Sequence, residues 1–139
     1  MHIFADMTRL YKNTSLFIIT GWFYDAPTDD TYGNFPFGGH FDLDHENRLE
    51  GRLSDDCGSS RITGTMTSSV LEFRKKYRDQ KSAYYYKFEK KSGLWVGGWA
   101  DEKIETTYLD HNTSQQARCL ALSICDAYRA MNKSRLDRQ

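Results

Sequence analysis

Cysteine is scarce and odd in number: Cys57, Cys119 and Cys125 are the three in 139 residues, with no CxxC spacing among them. That excludes a disulfide-framed scaffold and fits free thiols in a reducing compartment. Net charge is lacking as well, since 19 basic residues balance 19 acidic ones. A strong nucleic-acid footprint is basic overall, so nucleic acid is not an expected partner. Long apolar runs are absent: Leu16 to Ile19 is the longest, far short of the roughly 20 residues a membrane helix needs, so no membrane span is expected. The start, Met1-His2-Ile3-Phe4-Ala5-Asp6, has neither the basic opening nor the apolar stretch of a secretory signal, which predicts a cytoplasmic protein. Three Asn-x-Ser matches, at Asn13, Asn112 and Asn132, are discounted, because glycosylation matters only in a secreted chain.

What is present is a repeated phrase. Trp95-x-Gly97-x-Trp99 recurs in other apolar residues as Ile19-x-Gly21-x-Phe23, Phe37-x-Gly39-x-Phe41, Leu49-x-Gly51-x-Leu53 and Ile62-x-Gly64-x-Met66. A spacing of two is the period of a strand, whose side chains alternate between faces, so each phrase sets two bulky groups and a gap on one side of a sheet. The first strand, about 15–24, is apolar in both parities, with Phe17, Ile19 and Phe23 on one face and Leu16, Ile18, Trp22 and Tyr24 on the other, which predicts cover on both faces. Further strands are expected at about 36–43, 47–54, 59–67, 69–77, 82–90, 94–100 and 103–109, cut by polar or glycine-bearing turns such as Asp44-His45-Glu46-Asn47 and Lys91-Ser92-Gly93. Short connections make sequential strands neighbours, and closing the sheet removes its edges. The fold class expected is therefore mainly β: a single domain, an eight-stranded antiparallel up-and-down barrel over 15–109.

Around the barrel, residues 1–14 form an N-terminal segment in which Phe4, Met7, Leu10 and Tyr11 have helix-like spacing, and 25–34 is a long loop with three acids. After Asp110 the period changes. Thr113 and Gln116 resemble a capping box, and Ala117, Leu120, Ile124, Tyr128 and Met131 share a stripe. This predicts a helix over 114–132, or 113–132 with its cap, packed on the outer face of the first strand, followed by a charged tail at 133–139.

Eight meandering strands, a tryptophan at Gly21-Trp22 in the first of them and a carboxy-terminal helix resemble the calycin group, the lipocalin and avidin-type barrels. Those families place Gly-x-Trp near the start of the first strand, whereas here the two residues adjoin. The resemblance implies binding of a small, mostly apolar molecule in the barrel mouth without catalysis. It supplies no biotin-binding set, because no matching polar residues are found.

The interior parity gathers Trp95, Trp99, Phe41, Phe73, Tyr77, Tyr84 and Tyr86 as the candidate ligand-binding residues, with tyrosine hydroxyls as the polar groups such pockets need. The alternative is that the same aromatics fill a solid core, those of the fifth and sixth strands leaning into the space left by glycines opposite. Lys75 shares that parity. Inside, its ammonium would need an acid or an anionic ligand; a place at the rim, with the head in water, is the simpler expectation.

Other constellations read as ordinary surface. Asp42-x-Asp44-His45-Glu46 lacks the register of a calcium loop and is expected to be a solvated turn, and neither metal nor cofactor is anticipated. Asp55-Asp56-Cys57 surrounds a thiol with the wrong charge for a nucleophile. Cys119 and Cys125, six apart on the expected helix, read as small packing residues. Charge is segregated, with seven acids against two bases in 1–46 and eleven bases against six acids in 47–91. The basic run Arg74-Lys75-Lys76-Tyr77-Arg78, continuing to Lys81, Lys87, Lys90 and Lys91, interleaves with tyrosines as single-strand nucleic-acid binders do, but for want of overall positive charge it reads as an outward face that keeps the fifth and sixth strands from pairing with another chain.

The function expected is binding of a small apolar or aromatic molecule. The alternatives are a protein-interaction module built on the acidic loop and the basic strands around a solid barrel, and an isomerase or cyclase acting on a ligand held inside. A cavity of roughly 300 Å³ or more at one mouth would favour the first over the second.

Overall fold

The computed structural model describes residues 14–24, 34–101 and 115–137. Eight strands form one closed antiparallel barrel in strictly sequential order. They are β1 (Thr14–Tyr24), β2 (Asn34–Asp44), β3 (Arg48–Asp55), β4 (Gly58–Met66), β5 (Val70–Tyr77), β6 (Ala83–Lys91), β7 (Leu94–Asp101) and β8 (Gln115–Ser123), followed by α1 (Ile124–Asp137). The barrel closes where β8 pairs with both β7 and β1. The expected N-terminal helical spacing, the strand at 103–109 and all of the acidic 25–34 loop except Asn34, which begins β2, lie outside the described residues.

The eighth strand is thus not the one expected. Residues 115–123 are strand where a helix over 114–132 was anticipated, and α1 begins only at Ile124. Gln115 to Ser123 is rich in residues that tolerate a helix, yet it also alternates. Ala117 and Cys119 are buried, while Gln116, Arg118, Leu120 and Leu122 point outward. Pairing along both edges decides between the two periods, since an open barrel would leave β1 and β7 each with a row of unpaired backbone groups. The anticipated stripe is therefore split. Leu120 and Ile124 are exposed, and Tyr128 and Met131 on α1 are 66% and 71% exposed. α1 touches β1 and β8, but Leu16 and Ile18 on the outer face of β1 remain exposed. Trp22 also faces outward, donating its indole N–H to the Tyr24 hydroxyl at 2.9 Å.

The repeated glycines have one physical cause. A Cβ on Gly97 would run into the backbone carbonyl of Lys87 on β6, and Gly21, Gly39, Gly51 and Gly64 meet a neighbouring strand's carbonyl in the same way. They permit the sharp coiling of a small barrel. The space opposite is filled by rings: Phe73, Tyr86 and Trp99, register partners across β5, β6 and β7, stack with centroids 5.1 and 6.1 Å apart.

The two ends of the barrel differ. At one, the turns after β2, β4 and β6 are tight, and Asn47 takes φ 65° to close the first of them. Apolar side chains pack that half solid, among them Phe41, Leu49, Leu71, Phe88 and Trp95, with Phe17 stacked on Phe41 at 5.2 Å. The other end, where β1, β3, β5 and β7 finish, holds the polar interior.

Candidate functional site

Lys75 lies inside the barrel, not at the rim. β5 alternates strictly, so Leu71, Phe73, Lys75 and Tyr77 all point inward, and the Lys75 side chain is 2% exposed. Its acid is Asp55, the inward residue two beyond Leu53 on β3. Between them on β4 stand Gly58, paired with Asp55, and Ser60, paired with both Leu53 and Tyr77; these small residues leave room for the carboxylate to reach β5.

Every buried polar side-chain atom of the resulting network has a hydrogen-bond partner. Lys75 Nζ donates to Asp55 Oδ2 at 3.2 Å and to the hydroxyls of Tyr77 and Tyr86, each at 2.9 Å. Tyr77 donates to the same carboxylate oxygen at 2.7 Å, and the Cys57 backbone N–H caps Oδ1 at 2.8 Å. Rings surround the ammonium, with the centroids of Tyr77, Phe23 and Tyr86 at 4.6, 4.7 and 4.9 Å. Two desolvated charges are expensive, and this geometry of mutual bonds and ring faces is what offsets the cost. Desolvation pulls the Lys75 pKa below its ordinary value, with Asp55 opposing. Burial foremost, and then Asp55, pushes Tyr77 and Tyr86 well above theirs, so both hydroxyls keep their protons.

Above this network the described residues form a cavity of about 190 Å³ open at the mouth. Phe23, Phe35 and Trp99 supply apolar walls, and Tyr77, Tyr84 and Tyr86 add rings with hydroxyls. Lys75 lies at its base, with Cys57 and Gln80 at the lip. Trp99 is held by a bond from its indole N–H to the Tyr24 carbonyl at 2.8 Å, tying β7 to the end of β1. Tyr84 donates to Gln80 at 3.4 Å.

Of the seven residues expected to line a site, Tyr77, Tyr84, Tyr86 and Trp99 share this cavity, whereas Phe41, Phe73 and Trp95 belong to the packed core. The two tryptophans of the opening phrase therefore divide: Trp95 is core and Trp99 is cavity wall. Phe23, Phe35 and Asp55 were missed as site residues. Phe23 and Asp55 both carry a usable signal, the inward parity of their own strands.

The other candidates stay outside. Asp44 is absorbed in its turn, accepting the N–H groups of Glu46 and Arg48 and the Arg48 guanidinium; the Arg48 backbone bond foremost holds its carboxyl below the usual range. Among the described residues no group of three metal-ligating side chains occurs. The cysteines are free; Cys119 is buried in β8, not on a helix, and Cys125 is exposed on α1. Among the described residues no helix is long and apolar enough to cross a membrane.

Fold and site together define a closed eight-stranded antiparallel barrel with a charged, aromatic-caged interior at one end. The architecture is consistent with a calycin-like barrel. Comparison with protein-family models, with curated proteins and with solved structures gave no match.

Proposed function

We propose that the protein is a calycin-like carrier that binds a small, single-ring aromatic molecule in the barrel mouth. The observation that carries this reading is the cavity between Phe23, Trp99 and the tyrosines, set over a polar base beside the packed apolar core. Its volume, about 190 Å³, falls short of the roughly 300 Å³ expected of a drug-sized site, which confines the reading to a much smaller ligand, since an apolar cavity of about 150 Å³ already takes benzene. The ligand is accordingly small, flat and mostly apolar. The base is neutral overall, because Lys75 and Asp55 cancel, so a neutral ligand suits it better than an anion. Tyr86 accepts from Lys75, which leaves its own O–H to meet an acceptor atom on the ligand.

Binding is favoured over catalysis by the state of the titratable groups. All three Lys75 protons are engaged, both tyrosines hold theirs tightly, and the Asp55 carboxylate already accepts from Lys75, Tyr77 and the Cys57 N–H, so the ammonium and the carboxylate are committed to each other.

The test is tryptophan fluorescence titrated with phenols, benzaldehydes and indoles. A saturable change with wild-type protein, lost in Trp99→Phe and retained in Trp22→Phe, is the expected result. No response to any of these compounds at millimolar concentration would sink the reading.

A further inference from the structure

We propose that the outer wall of β3, β4 and β5 is a binding surface for the phosphate backbone of a single nucleic-acid strand. The antiparallel register sets Arg52 directly opposite Arg61, and Arg61 directly opposite Lys76. With strands about 4.8 Å apart, three cations stand in a row about 10 Å long. His40 extends the row on β2, as the register partner of Arg52. Arg74 and Arg78 flank it on and just beyond β5, and the hydroxyls of Ser59 and Thr63 lie among them, lining an outer groove of about 680 Å³.

Like charges directly opposite across a ladder destabilise a sheet, so this row works against the fold that carries it. Among the described residues Glu50 is bonded to Arg61, while Arg52, Lys76 and Arg78 form no ion pair. The ordinary reason for a basic strand face, guarding a sheet edge, does not apply: β3, β4 and β5 are each hydrogen-bonded on both sides. What remains is an external partner of opposite charge.

The composition of the row selects the partner. Four of its five cations on β3 to β5 and their turn are arginines, whose planar forks match phosphate oxygens, and hydroxyls between them add donors. Tyr85, the register partner of Arg74, is partly exposed on the same wall and offers a ring face beside the row. The wall presents no helix or free ribbon to enter a duplex groove, but a flexible single strand can lie along its own outer groove. The zero net charge of the chain does not oppose this, because eleven of its nineteen bases lie in residues 47–91 and the register gathers five of them on one wall.

The experiment is fluorescence anisotropy of a labelled oligothymidylate with the full chain. Binding is expected at about 50 mM salt, weakening about 20-fold by about 200 mM if three phosphates are contacted. Arg52→Glu with Lys76→Glu should weaken binding tenfold or more, with a melting temperature unchanged or raised, since it replaces two repulsions by attractions around Arg61. Arg118→Glu, on β8 across the barrel, should leave binding as it was. The proposal is overturned by no anisotropy change at about 100 μM protein and about 50 mM salt, or by undiminished binding in the double variant. Competition by polyglutamate as effective as that by unlabelled oligonucleotide would also overturn it, assigning the wall to an acidic protein segment. None of these results depends on whether the mouth binds a small molecule.

Discussion

Lys75 and Asp55, twenty residues apart in sequence, meet through a 3.2 Å contact with their side chains 2% and 0% exposed. Removing one partner strands the other's charge in the core. Lys75→Met is expected to cost about 3 to 5 kcal/mol in urea denaturation, whereas Lys75→Met with Asp55→Leu should recover more than half of that loss. A loss in the double variant equal to the sum of the losses of Lys75→Met and Asp55→Leu measured singly would show that the pair is not coupled.

The same network sets the alkaline behaviour. An unfolded lysine titrates near 10.5, and Lys75 folded titrates lower, so between those values the unfolded chain binds more protons and stability rises with pH. Tyr77 and Tyr86 have the opposite sign: above their ordinary value of 10.0 the unfolded chain releases protons that the folded chain keeps. Stability then falls by about 1.4 kcal/mol per pH unit for each tyrosine. The urea midpoint, followed from neutral pH upward, should climb towards pH 10 and then drop steeply, with Tyr86→Phe removing about half of the drop. A fall that begins well below pH 10 would contradict the direction assigned to Lys75.

Adjacent glycines on β2 should respond very unequally to one methyl group. A Cβ on Gly39 collides with the Arg52 carbonyl, while one on Gly38 comes no nearer than 3.9 Å to the Ile19 carbonyl. Gly39→Ala is expected to cost about 3 kcal/mol or more, because backbone must move to admit it. Gly38→Ala should stay within about 0.5 kcal/mol of wild type, measured by thermal denaturation.

The position of the last strand can be read with a thiol reagent. Cys57 and Cys125 are exposed, and Cys119 is buried with its thiol pushed up by desolvation. Under native conditions two equivalents should react promptly and the third only on unfolding. Rapid reaction of all three would be incompatible with Cys119 facing into a closed barrel.

Seven of the eight strands were legible, five from glycine phrases at the period of a strand and β5 and β6 from apolar alternation, all of them cut by turn residues. Their expected limits fall within about two residues of the observed ones, as for 69–77 against Val70–Tyr77. The eighth was not, since Ala117, Leu120 and Ile124 satisfy a helical spacing locally and only pairing with Phe17 to Phe23, far back in the chain, selects the strand. The site was half legible for a similar reason. Parity placed Tyr77, Tyr84, Tyr86 and Trp99 inside. Extending it one step past Leu53 would have placed Asp55 there too, but Asp55 begins a polar turn sequence and so read as surface. The basic row on the outer wall depends on register alone, which relates Arg52, Arg61 and Lys76 in a way their spacing in sequence does not reveal.

Closure by β8 gives the barrel a particular order of assembly. About a hundred residues separate Phe17 from its partner Ser123, so β1 cannot find its second neighbour through any local step, and the entropy of joining such distant segments falls on a single late event. During synthesis the first seven strands can form hairpin by hairpin as they emerge, but the sheet keeps two open edges, at β1 and β7, until residues 115–123 have left the ribosome. The stretch that most resembles a helix is therefore the one on which escape from edge-to-edge aggregation depends.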